Sequence, residues 1–189
     1  PLIVYTGTFG LVNGVGYLVD VAAAMCGLDP DVRFLLVGAG AEAEKVTMQA
    51  QRLGVLNTTL WIWPAVAKTQ VPDVLAAATL TTSVVIPLPA MWNNSANKFF
   101  DSLAAGKPIA INHEGWQADL LRQYNVGIVL PPDDPAAAAK ILSQYVNDSQ
   151  WLEQAGATAH RLAYGMFSRD QHFVQLVAVL SDAAQGRMG

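Results

Sequence analysis

Leu80-Thr81-Thr82-Ser83-Val84-Val85-Ile86, then Ser95-Ala96-Asn97-Lys98-Phe99-Phe100-Asp101-Ser102-Leu103-Ala104-Ala105, then Gly106-Lys107-Pro108-Ile109-Ala110-Ile111, is the stretch that decides the fold. Its first seven residues are mostly apolar or β-branched and scarcely alternate, the pattern of a strand buried on both faces. Ser95 is the expected N-cap of a helix over 95–105. Gly106-Lys107-Pro108 ends that helix, and the chain re-enters a strand over 108–111. Strand, helix and strand in this order are the repeating unit of a parallel sheet.

The alternation continues on both sides. Further strands are expected at Leu2–Thr6, Val32–Val37, Thr58–Ile62 and Gly127–Leu130. Further helices are expected at Val15–Cys26, Ala41–Leu53, Val71–Ala78, Gly115–Tyr124 and Pro135–Asn147. Pro72 sits in a first helical turn, Gly54 follows a helix, and Asp134-Pro135 opens one. The series predicts an α/β fold: a Rossmann-like, doubly wound, parallel six-stranded sheet with helices on both faces. Residues 1–150 would hold this domain. Residues 151–184 would form two C-terminal helices packing on it, split near Phe167-Ser168-Arg169-Asp170, and 185–189 a frayed tail. The start at Pro1, directly in a strand, reads as a piece cut from a longer chain.

Of 189 residues, 52% are hydrophobic and 14% charged, against typical values of about 45–50% and about 25%, so a substantial core can form. The net charge is −4 and no two Lys or Arg residues adjoin, which argues against a nucleic-acid partner bound by a basic stripe. The single cysteine, Cys26, allows no internal disulfide and no cysteine-built metal cluster, and points to a cytoplasmic location. The most apolar stretch, Val74–Trp92, is interrupted by four hydroxyl residues and two prolines, whereas a membrane span needs about 20 mostly apolar residues.

In such a sheet a ligand lies beyond the carboxyl ends of the strands, which singles out the loops 7–14, 38–41, 63–68, 87–94, 112–115 and 131–134. At the helix expected from Ser95, the amides of Ala96, Asn97 and Lys98 would be available to a phosphate, and Lys98 adds a full charge. Asp101, on the same helical face, is a natural acceptor for ribose hydroxyls. The competing reading is a surface ion pair between Lys98 and Asp101. In Gly7-Thr8-Phe9-Gly10-Leu11-Val12-Asn13-Gly14 three glycines permit close backbone approach, but the spacing is neither a dinucleotide fingerprint nor a P-loop. Trp63, with Pro64 and Val66, could flank a nucleobase, while Trp61 suits packing. His113 could donate to a phosphate or sugar hydroxyl, against the plainer reading of a half-exposed loop histidine. His160 and His172 read as structural. Asp29-Pro30-Asp31 lies at the wrong edge and Asp133-Asp134-Pro135 reads as a helix cap, so no metal site is expected.

Taken together, Tyr5-Thr6-Gly7-Thr8-Phe9-Gly10 with Asn13-Gly14, Phe34-Leu35-Leu36-Val37-Gly38-Ala39-Gly40-Ala41-Glu42, Val71-Pro72-Asp73-Val74-Leu75-Ala76-Ala77-Ala78 and Asn97-Lys98-Phe99-Phe100-Asp101-Ser102-Leu103-Ala104-Ala105-Gly106-Lys107-Pro108-Ile109 resemble a known family. The chain resembles the C-terminal, donor-binding half of GT-B glycosyltransferases of family 4 (group 1) type. It is most similar to the bacterial subgroup that transfers amino sugars in surface-polysaccharide and lipopolysaccharide synthesis. The resemblance implies two Rossmann-like domains with the active site between them. The N-terminal acceptor-binding domain has no counterpart here, so the chain alone would bind a nucleotide-sugar donor, by resemblance a UDP-sugar, and transfer nothing. Retaining transfer without metal or other cofactor is implied as well. Peripheral attachment of the full-length enzyme at the inner membrane would run through the absent domain.

The family's E-x7-E motif falls on Asn93 and Asp101. Asp101 keeps the ribose-binding acid. Asn93 replaces an acid that contacts the donor sugar, and neighbouring Asn94 is an equal candidate. Many members carry Arg and Lys after the first strand, where this chain has Thr8 and Asn13, leaving Lys98 and the helix start to meet the diphosphate. Lys98 and Asn93 are thus the implied catalytic residues. Gly7, Thr8, Gly10 and Asn13, Trp63 and Val66, Asn94 through Lys98 with Asp101, and His113 form the implied donor-binding set. Besides a dehydrogenase, against which the missing glycine fingerprint and missing ribose acid argue, two other readings compete. Half of a GT-B-type sugar-nucleotide epimerase needs acid/base residues, for which this half offers only His113 and Glu114. The other is a non-enzymatic nucleotide-binding or interaction domain.

Overall fold

The computed structural model describes residues 1–187, so the last two residues of the expected tail lie outside the described residues. Six strands alternate with helices: β1 (Leu2–Thr6), α1 (Gly16–Cys26), β2 (Arg33–Val37), α2 (Ala43–Arg52), β3 (Leu60–Trp63), α3 (Val71–Ala77), β4 (Leu80–Ser83), α4 (Asn97–Ala104), β5 (Ile109–Ile111), α5 (Trp116–Tyr124), β6 (Gly127–Val129) and α6 (Pro135–Val146). Two helices follow, α7 (Ser149–Tyr164) and α8 (Arg169–Ala184). The sheet is parallel throughout, in the order β3-β2-β1-β4-β5-β6. The order reverses between β1 and β4, and the crevice beyond their carboxyl ends is the topological switch point where such sheets bind ligands.

Alternate strand residues serve opposite faces. Ile3, Tyr5, Phe34, Leu36 and Leu80 join Leu18, Val19, Ala22, Ala138 and Leu142 from α1 and α6 in one core. On the other face Ile109 and Ile111 meet Phe99, Leu103, Ala118, Leu121 and Ala159. There Val4, Leu35 and Val37 pack with Ala78 and Val74. Asp134 and Asp148 cap α6 and α7 by accepting from Ala137 N and Trp151 N, each at 2.9 Å. α7 buries Trp151, Ala155, Ala159 and Leu162, whereas α8 buries no residue and leaves Phe173 64% exposed.

Two strand boundaries depart from expectation by more than one residue. β4 ends at Ser83 rather than Ile86, because Asn112 replaces the ladder: Val85 N donates to Asn112 Oδ1 at 2.9 Å, and Asn112 Nδ2 donates to Val85 O at 2.8 Å. β3 begins at Leu60 rather than Thr58. Asn57 is left-handed (φ 59°), and Thr58 Oγ1 donates to the Val55 carbonyl at 2.8 Å, a turn interaction that competes with the strand.

Candidate functional site

The site is built at the end of β1. Tyr5 is buried, and its hydroxyl donates to the Thr8 carbonyl at 2.8 Å, which ties down the loop that leaves the strand. Gly7 has φ +143°, and a side chain there would begin 2.9 Å from Lys98 Cε and 3.2 Å from Nζ. The glycine is therefore needed both for its backbone angle and for the lysine stem lying against it. Lys98, second residue of α4, donates from Nζ to Tyr5 Oη at 3.2 Å and stands 4.7 Å from the Tyr5 ring centroid. Burial lowers the Lys98 pKa to about 8 and pushes the Tyr5 hydroxyl up. Among the described residues Lys98 makes no ion pair, so the surface pair with Asp101 does not form.

The expected cap at Ser95 is corrected. α4 starts at Asn97 with Ala96 as its N-cap, and no side chain caps it. The cause lies upstream, where Asn94 N donates to Met91 O at 2.9 Å and draws the preceding residues into a tight turn. Phe99 N is taken by Ala96 O, whereas the amides of Asn97 and Lys98, at the first two helical positions, have no intrahelical partner. Two donors and the positive end of the helix thus belong to the same first turn that carries Lys98.

A cleft runs from the carboxyl ends of β1 to β3 into the groove between α3 and α4. Its first part, about 220 Å³, is walled by Gly7 and Thr8 after β1, Gly38 after β2 and Val66 after β3. Val71 belongs to this part and to a second, of about 320 Å³, which Lys68 and Asp101 line. Asp101 and Asn97 also line a third part, about 700 Å³, beneath α8 with Phe100, Arg169 and His172. Burial raises the Asp101 pKa, and the nearby Lys68 charge pulls it back down. His172, read as structural, stands on this wall.

Other expected residues lie apart from that cleft. Trp63 ends β3 at 51% exposure, away from the cavity that Val66 lines, while Trp61 packs against the core as expected. Gly10 precedes and Asn13 ends a 3-10 turn over Leu11–Asn13, held by Asn13 N donating to Gly10 O at 3.0 Å. Asn93 is exposed and Asn94 half-buried, on the turn that precedes α4.

His113 is corrected most sharply. It is 4% exposed, not half-exposed, and borders a separate cavity of about 170 Å³ with Trp92 and Asp133 beyond β5 and β6. Gly115, with φ +100°, lets the Trp92 carbonyl settle onto the loop. His113 Nδ1 lies 2.9 Å from the Glu114 carbonyl, which makes that nitrogen the donor in the neutral ring. His113 Nε2, Ser83 Oγ and both amide atoms of Gln117 are buried without a hydrogen-bond partner. Glu114 is bound by Arg122 at 2.6 and 2.8 Å, which holds its carboxyl below the usual range. His113 and Glu114 are therefore not the open acid/base pair that an epimerase half requires.

Asp29 Oδ1 accepts from Asp31 N at 3.1 Å and Asp29 Oδ2 accepts from Asn147 at 2.8 Å, so the Asp-x-Asp letters are spent on a turn and a tie to α6. Among the described residues no three His, Cys, Asp or Glu side chains are grouped to hold a metal ion. No helix there is long and apolar enough to cross a membrane. Sequence reasoning named neither Tyr5 nor Lys68 nor Gly38 as a site residue, although Lys68 and Gly38 lie in loops it singled out. The first two carried a signal, being a phenol and a cation placed at the ligand edge of the sheet.

The family model described as "Glycosyl transferases group 1" matches residues 1–162. The chain belongs to that family. As a group 1 glycosyl transferase it is similar in fold to several solved structures. Alr3699/HepE of Anabaena, crystallised with UDP and glucose, superposes with a TM-score of 0.82 at 20% identity, over 96% of this chain and 48% of that one. Sucrose-phosphate synthase of Thermosynechococcus elongatus gives 0.84 at 18% identity, over 98% and 46%. TarM of S. aureus, crystallised with UDP among its ligands, gives 0.79 at 13% identity, over 94% and 34%. The transferase chain thus spans about half the length of these structures or less. Among curated proteins none matches it.

Proposed function

We propose that this group 1 glycosyl transferase chain binds the nucleotide-sugar donor, a UDP-sugar, in the cleft beyond β1 and β4. One observation carries the reading. An ammonium without a carboxylate partner, two open helix amides and a glycine turn converge there, next to a cavity that leads to a carboxylate. Lys98 and the amides of Asn97 and Lys98 hold the diphosphate and stabilise the charge that develops on it as it leaves. Asp101 accepts from the ribose hydroxyls. Val66 meets the base, and Asn93 or Asn94 meets the sugar. In this reading the diphosphate is neutralised by these groups rather than by a bound metal.

The family resemblance supports three further parts of the proposal. Transfer proceeds with retention of configuration. It requires a second, acceptor-binding domain, through which the enzyme sits at the inner membrane. It serves amino-sugar transfer in surface-polysaccharide or lipopolysaccharide assembly. The half-length coverage of the two-fold longer solved structures supports the second part. WaaG, a glycosyltransferase involved in lipopolysaccharide biosynthesis, has the same fold at a TM-score of 0.70.

The test is a thermal-shift panel of UDP, GDP, ADP and NAD. A ligand at about 100 times its Kd adds about 2.7 kcal/mol of stability. That raises Tm by roughly 5–11 °C in a domain of this size. A shift with UDP supports the reading, and a shift with NAD alone overturns it. Asp101→Ala weakens UDP and uridine alike, by about 1.5–3 kcal/mol, the range for a hydrogen bond to a charged group. Unchanged calorimetric affinities would remove Asp101 from the ribose site.

A further inference from the structure

We propose that Tyr5 is the positioning residue for Lys98, holding its ammonium at the mouth of the glycine turn for the donor's diphosphate. The inference rests on Lys98 being the diphosphate ligand. A lysine at the start of a helix has a long, flexible stem and about 2 kcal/mol of rotamer entropy to lose when it is fixed. Here the stem lies in the space that Gly7 leaves, and Nζ ends on Tyr5 Oη and above the Tyr5 ring. Tyr5 is itself immobile. It is fully buried, its ring tilts onto Phe9 at 5.9 Å, and its one proton is spent on the Thr8 carbonyl. The phenol oxygen must therefore accept from Lys98.

The partner's chemistry matters as much as its position. A carboxylate in place of Tyr5 would hold the lysine but cancel its charge. A phenol and an aromatic face hold it and leave the charge available to an anion. Among the described residues, Tyr5 is the titratable side chain in contact with Lys98. Asp101, three residues further along α4, lies toward Lys68 in the neighbouring cavity. Tyr5 also binds the Thr8 carbonyl, so one side chain sets both the lysine and the turn that the phosphates would meet.

The experiment measures Kd for UDP and for uridine on the wild-type chain, Tyr5→Phe, Lys98→Ala and the double variant, with a thermal melt of each to establish folding. Tyr5→Phe keeps the ring and its Phe9 contact. It should weaken UDP about 5- to 12-fold and change uridine less than about 2-fold. In the Lys98→Ala background it should cost UDP nothing more. Its high-pH loss of UDP binding should begin at lower pH than in wild type, since the ammonium has lost its acceptor. Equal losses for UDP and uridine, or a full Tyr5→Phe loss on top of Lys98→Ala, would overturn the inference. If Lys98→Ala weakens UDP and Tyr5→Phe does not, this inference alone fails. If wild type does not prefer UDP to uridine, the donor reading fails and this one with it.

Discussion

Lys98→Ala weakens UDP binding about 10- to 150-fold, the equivalent of about 1.5–3 kcal/mol for a charge-assisted hydrogen bond, and leaves uridine nearly unchanged. Among the described residues, no other cation lines the cavity at the Gly7 turn, and the chain has Thr8 and Asn13 where the family resemblance would place basic residues. The same lysine gives UDP binding a pH dependence. Burial sets the free Lys98 pKa at about 8, and in the proposed reading the ammonium is the binding form. Affinity is therefore full below that pH and falls as pH rises through it. The bound diphosphate restores the charged form, so binding near pH 8 takes up protons, measurable by calorimetry in buffers of different ionisation enthalpy. The stability of the unliganded chain moves the other way. The unfolded lysine titrates near 10.5, so between about 8 and 10.5 the unfolded chain holds a proton that the folded chain has released. In that window this group makes folding more favourable as pH rises. A UDP affinity that is flat from pH ~7 to pH ~9.5 would exclude Lys98 from the phosphate site.

Gly38→Ala destabilises the fold at the upper end of the about 1–3 kcal/mol typical of overpacking. It should lower Tm by about 6–12 °C, at about 2–4 °C per kcal/mol for a chain of this size. Gly38 follows β2, and a Cβ there runs into the Gly7 carbonyl, with Phe9 Cε1 2.9 Å away. Neither neighbour can yield. Gly7 N donates to Val37 O at 3.0 Å, Gly38 N donates to Trp63 O at 3.1 Å, and Phe9 is fully buried. The displaced turn is also the one proposed to meet the phosphates, so the variant should lose UDP affinity along with stability. A melting temperature within about 2 °C of wild type would show that the β1 and β2 exits can separate without cost.

The sheet was legible because its strands are buried on both faces, so their apolar runs stand out. The helix ends were legible where they use local chemistry, as at Gly106-Lys107-Pro108 and Asp134-Pro135. What escaped was partly non-local and partly competing local turns. The end of β4 depends on the Asn112 side chain, 27 residues on from Val85. Ser95 has the chemistry of a cap, but the turn at Met91–Asn94 delays the helix to Asn97. His113 lies in a loop, where exposure is the reasonable expectation, yet the Trp92 carbonyl settles on Gly115 and closes over it. Of the candidate site, the position of Lys98 beside the turn after β1 was legible from topology and charge, whereas the expected pairing of Asp101 with it was not found. The Tyr5–Lys98 contact joins residues 93 positions apart, which no spacing reveals.

The sixteen residues of α8 bury nothing, which bears on how the molecule comes apart. An isolated helix of that length is marginal in water without tertiary support. Its opening should be nearly independent of the sheet, so the chain melts as two cooperative units rather than one. Amides of 169–184 should exchange with solvent orders of magnitude faster than those of α7, whose Trp151, Ala155, Ala159 and Leu162 are locked into the cores. Removing everything after Ser168 should leave the main calorimetric transition where it was.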